Sequence, residues 1–97
     1  MQQLSKQQPA LELGRIVATP GALAALEKAG QQPGEFLTRH ANREWGYVSD
    51  EDRKENDFSV EHGFRLLSSY RTNVGDKPWI ITESDRSVTT ILLPNEY

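Results

Sequence analysis

From residue 64 onward the chain reads with a hydrophobic period of two, whereas the stretch before it is punctuated as helix. This switch constrains the fold more than any other feature. Residues 64–70, 79–82 and 87–93 are rich in aromatic and β-branched side chains, which suit a pleated surface. Asn73-Val74-Gly75-Asp76 and Ser84-Asp85-Arg86 separate them, so two short connections imply an antiparallel three-stranded meander. Trp79 and Ile81 share one face of their strand, and Val88, Thr90 and Leu92 share one face of the next. Ile80, Ile91 and Leu93 make the other face apolar too. A sheet apolar on both faces needs cover on both. The expectation is that helices cover one side and that the arm around residues 11–17, or a second copy of the chain, covers the other. Pro94 ends the last strand because it has no amide to donate.

Upstream, Thr19-Pro20 is an N-cap followed by proline at the first helical position, and Gly30 stands where a C-cap belongs. Leu23 and Leu26 are placed on its inner face with Ala22 and Ala29. Pro33 opens a second helix whose apolar stripe holds Phe36, Leu37, His40 and Ala41, fading near Trp45-Gly46. Ser49 and Asp52 form a capping-box start for a third helix, which runs to His62 and ends at Gly63. Its interior is poor in apolar residues, so Phe58 and Val60 are its expected contact stripe. Residues 11–18 leave room for an extra short N-terminal strand or extended arm. Residues 1–10, Gln-rich and without an apolar period, read as a disordered or weakly ordered leader before a single domain over residues 11–97. The fold class is therefore α+β: two to three N-terminal helices, then the meander.

The formal net charge of -3 is confined to one place. Asp50, Glu51, Asp52, Glu55 and Asp57 outnumber Arg53 and Lys54, while the remaining nine acids balance nine bases. With a pI of 5.3 this argues against nucleic acid as a partner. The polar start of the chain has no apolar signal stretch and no run long enough to span a bilayer, so a bacterial cytoplasmic setting is expected. Cysteine is absent, neither histidine has a second ligand at metal spacing, and the acidic run lacks the glycine of a calcium loop. No metal and no cofactor are expected.

Two readings of function compete. In the first, the acidic helix (Asp50, Glu51, Asp52, Glu55, Asp57) with the adjacent Trp45 as anchor docks a protein partner through complementary charge. In the second, His62 as base, Arg65 and Arg71 as phosphate binders (with Arg86 nearby) and Thr89 or Thr90 in support make a metal-free ribonuclease centre. The bland alternatives are a satisfied, partly buried His40, a His62 that serves its helix C-terminus, and a solvated acidic face.

The run from Trp79 through Asp85-Arg86-Ser87-Val88-Thr89-Thr90-Ile91-Leu92-Leu93-Pro94 to Asn95-Glu96-Tyr97 resembles the C-terminal signature of a family of short bacterial proteins known as plasmid-related or hypothetical. Leu13-Gly14-Arg15-Ile16-Val17-Ala18-Thr19-Pro20-Gly21-Ala22 and Trp45-Gly46 are similar as well, so the resemblance spans most of residues 13–97. It implies carriage by plasmids or other mobile elements and transfers no catalytic residue. The helix-then-sheet layout over residues 33–93 is also similar, as architecture alone, to small bacterial RNase toxins of the RelE and barnase-like kind. The leading expectation is a non-enzymatic accessory protein of mobile-element type that works through protein contacts, with self-association through the open sheet face as an alternative. The runner-up is the RNase toxin.

Overall fold

Thr19 is extended and its hydroxyl accepts from the Ala22 amide, so the first helix, α1 (Pro20–Ala29), starts where the threonine–proline pair places it. Gly30, in the left-handed region, ends it. The structure is a computed structural model and describes residues 10–97. The leader expected over residues 1–10 therefore lies, apart from Ala10, outside the described residues. In chain order β1 (Arg15–Ala18) and α1 are followed by α2 (Pro33–Ala41), α3 (Asp50–His62), β2 (Leu66–Ser69), β3 (Trp79–Thr82) and β4 (Val88–Leu92), then a 3-10 turn (Pro94–Glu96).

The class is α+β, and the last three strands run antiparallel as expected, but the sheet is mixed. Its order is β1-β4-β3-β2, with β1 parallel to β4 in the register Ile16 opposite Thr89. Parallel pairing at that position is possible because α1 carries the chain back across the sheet between β1 and the later strands. Only the second connection is a tight hairpin, closed by the Glu83 amide on the Val88 carbonyl. The first spans residues 70–78 and is held by the Thr72 and Asp76 amides, which donate to the Asp76 carbonyl and the Thr72 hydroxyl.

Register sorts the side chains of the sheet. Leu66, Ser68, Ile80, Thr82, Thr89 and Ile91 face the helices, and Ala22 and Leu26 of α1, Phe36 of α2 and Tyr70 close the core on that side. Ala22 and Ala25 are the buried small residues of α1, which let the helix lie close, so Leu23 turns outward at 50% exposure. The opposite face (Trp79, Ile81, Thr90, Leu92) is not covered by the N-terminal arm, which joins the edge of the sheet instead of lying over it. Cover comes from the C-terminus: Tyr97 packs edge-on against Trp79 at 5.8 Å and accepts from Arg65 at 2.9 Å, and Ile81 and Leu92 are buried beneath. Glu96 anchors this turn by accepting from the Thr19 hydroxyl and from the Gly21 and Leu93 amides.

Helix α2 stops at Ala41, earlier than the stretch near Trp45-Gly46, because Asn42 leaves helical geometry and Arg43 is left-handed. Residues 45–47 then run as a strap along β2. The Ser69 amide donates to the Trp45 carbonyl and the Tyr47 amide to the Ser69 carbonyl. Gly46 is required there, since its φ is 81° and a Cβ would collide with the Ser69 carbonyl.

Candidate functional site

The third helix has the bounds its caps dictate, with the Ser49 hydroxyl accepting from the Asp52 amide and Gly63 left-handed at its end. Its orientation differs from the expected one. The buried residues are Asn56 and Ser59; Val60 is half-buried, and Phe58 is exposed. The reason lies in β2, an edge strand whose outer groups need partners. Asn56 supplies both: its side-chain amide donates to the Leu67 carbonyl at 2.8 Å and its side-chain oxygen accepts from the Leu67 amide at 3.2 Å. Together with the strap at Ser69 this seals the edge.

Turning Asn56 inward turns Phe58 outward. Phe58 and Phe64 stand 53% and 54% exposed with parallel rings 6.0 Å apart, and His62 stacks on Phe58 at 4.0 Å. The result is a ledge of three rings. Beside it a trough runs along the seam of α3 and β2, a cavity of about 210 Å³ walled by Asp52, Glu55, Asn56, Ser59, Arg65 and Leu67. It continues past Glu55 and Ser59 to Phe58, Phe64 and Ser84. Arg65 on its floor pairs with Glu83 at 3.6 Å and donates to Tyr97. Every acid of the helix is exposed, and the helix carries six acids against two bases.

The remaining expected groups are scattered. Trp45 is no docking anchor: it is 1% exposed, packs edge-on against His40, and donates its indole N–H to Asp57 at 3.1 Å. His62 Nδ1 donates to the Phe58 carbonyl at 3.0 Å, the helix-terminal role foreseen for it. Arg65 and Arg71 lie beyond opposite ends of β2, and Arg71 stacks over Tyr47 at 4.6 Å. Thr89 faces the helices and Thr90 the opposite side. Arg86 is committed to backbone, donating to the carbonyls of Ser59, Phe64, Glu83 and Ser84 and so closing the C-terminus of α3. His62, Arg65, Arg71, Thr89 and Thr90 therefore do not converge on one ligand position.

His40 is the hub of a buried polar chain that no residue pattern announced. Its Nδ1 lies 2.5 Å from the Ser68 hydroxyl and its Nε2 lies 2.8 Å from the Thr82 hydroxyl. Thr82 in turn meets Thr89 at 2.7 Å, and Thr89 donates to the Leu13 carbonyl at 2.7 Å. A carbonyl can only accept, so the protons are ordered from that end: Thr82 donates to Thr89, His40 Nε2–H donates to Thr82, and Nδ1 accepts from Ser68. Burial, reinforced by the Arg86 charge, lowers the His40 pKa to about 4 and keeps the ring neutral. Both ring nitrogens are in use, so this histidine is structural.

Fold and surface thus define a small α+β domain with a mixed four-stranded sheet and an exposed aromatic ledge on an acidic helix. No family model, no curated protein and no solved structure matches the chain. Among the described residues no helix is long and apolar enough to cross a membrane.

Proposed function

We propose that the chain is a non-enzymatic interaction protein that docks a protein partner on α3, through the ledge of Phe58, His62 and Phe64 and the acidic wall beside it. The observation that carries this reading is the pair of half-exposed, parallel phenyl rings. Single exposed apolar residues are ordinary, but adjacent aromatic rings rimmed by charge mark contact surfaces. The proton-transfer groups support it from the other side, because His40 holds Ser68 and Thr82, and His62 is bonded within its own helix. The resemblance to plasmid-related bacterial proteins adds a setting, an accessory role on a mobile element, that rests on sequence likeness alone.

The test is affinity capture from a bacterial lysate by the wild-type chain, by Phe58→Ser/Phe64→Ser and by the control Leu23→Ser on α1. Thermal melts check that all three are folded. Discrete partners recovered by wild type and control and lost with the ledge variant are expected. Equal recovery by all three overturns the reading. Expression of the wild-type chain should leave growth and cellular RNA intact, whereas growth arrest relieved by His62→Ala would favour the ribonuclease alternative.

A further inference from the structure

We infer that the occupant of the α3–β2 trough is an extended, arginine-containing segment of another protein, with an aliphatic or aromatic side chain next to the arginine. This rests on the docking reading above and names the partner's chemistry.

Shape gives the first constraint. The trough lies between a helix and a strand whose outer edge is already sealed by Asn56 at Leu67 and by the strap at Ser69, so an incoming chain cannot add itself as a strand to β2. It must be held through side chains. The composition of the walls gives the second. Asp52 and Glu55 line one side, the two phenyl rings stand at one end, and the base on the floor, Arg65, is already paired with Glu83. A guanidinium satisfies both kinds of wall, since it pairs with carboxylates and stacks flat on a phenyl face, which a hydrated ammonium does less well. The neighbouring apolar side chain of the partner would cover the remaining faces of Phe58 and Phe64.

Charge decides between partner classes. Stacked exposed rings also suit unpaired bases, but a helix with six acids against two bases repels a phosphate backbone. A second copy is disfavoured by its own surface. Where the chain itself sets arginine beside an aliphatic or aromatic residue, Arg65 is paired with Glu83, Arg71 is stacked over Tyr47, and Arg15 belongs to β1, already paired with β4, so none offers a free extended segment.

Selection of a phage-displayed library of unstructured peptides on the full chain tests this, followed by titration of the enriched peptides observed through backbone amide shifts. The expected winners carry arginine beside an aliphatic or aromatic residue and shift the amides of Glu55, Ser59 and Phe64. They should bind about fivefold more weakly to Glu55→Gln or Phe64→Ser and unchanged to Glu27→Gln on α1. Winners without a basic residue that still weaken on Phe64→Ser would overturn the arginine assignment and leave docking on α3 intact. No enrichment, or winners indifferent to Phe58 and Phe64, would overturn both. A labelled oligothymidylate is expected not to shift these amides, and its binding there would replace a protein partner with single-stranded nucleic acid.

Discussion

His40 shows how one residue can tie distant parts of this chain together, because its two nitrogens link α2 to β2 and β3 and, through Thr82 and Thr89, to the carbonyl of Leu13. Its pKa, lowered from 6.5 to about 4 by burial, makes a signed prediction. The unfolded chain takes up a proton near pH 6.5 and the folded chain does not until near pH 4. Stability from the neutral ring is therefore complete above pH 6.5 and is lost as pH falls toward 4, by about 3 kcal/mol at most. Urea unfolding between pH 7 and pH 4.5 should show this loss. His40→Gln, less stable at pH 7 because Ser68 and Thr82 lose a partner, should flatten the slope in that window. Glu96 contributes in a lower one: the Thr19 hydroxyl and the Leu93 and Gly21 amides hold its carboxyl below the usual range, so its contribution is lost only as pH falls through that range. A slope identical in wild type and His40→Gln would show that the ring is not the titrating group. That His40 sits on an apolar stripe was legible from its spacing; that hydroxyls from β2 and β3 meet it, with Thr89 of β4 behind Thr82, was not, since only strand register brings them together.

At the scale of elements, caps carried most of the legible information. Thr19, Gly30, Ser49 and Gly63 mark α1 and the ends of α3 because each satisfies a backbone group at a helix end, and Pro20 fits the first turn because it has no amide to leave unpaired. The rotation of α3 was not legible, because a period-3.6 reading places apolar residues inward, whereas β2 needed a side-chain amide at its edge and Asn56 was the residue to provide it. The strap at Gly46 was hidden for the same reason: its partner, Ser69, is distant in sequence. Asn56→Ala should leave the Leu67 amide and carbonyl unpaired, lowering stability by about 1–3 kcal/mol and raising amide exchange at Leu67 selectively. Asn56→Asp keeps an acceptor for the amide but cannot donate to the carbonyl, and should fall between. Unchanged exchange at Leu67 in Asn56→Ala would mean that the edge is closed by something other than this side chain.

Among the described residues, the stretch from Leu13 to Gly21 and the last strand and turn lock each other. Strand β1 lies parallel to β4, the Arg15 and Thr19 amides donate to the Ser87 and Ile91 carbonyls, and Glu96 reaches back to the start of α1. The parallel strand was legible only as a short strand of unspecified partner, since nothing in residues 15–18 distinguishes joining the sheet edge from lying over its face. Removing residues 1–17 should delete β1 and the Leu13 carbonyl that terminates the hydroxyl chain. The melting temperature should then fall on the order of 10 °C, for the half-buried Leu11, Leu13 and Val17 and one unsatisfied hydroxyl. An unchanged melting temperature would mean that β1 adds nothing to the sheet. With these stretches locked in this way and the edge of β2 sealed, the ledge on α3 is the surface on which the functional account depends. Site-specific photo-crosslinking in bacterial cells tests it most directly, with a benzophenone side chain replacing Phe64 in one variant and the equally exposed Leu23 of α1 in another. The account predicts a discrete higher-mass adduct from position 64 and none from position 23; adducts of the same pattern from both positions, or none from 64, would contradict it.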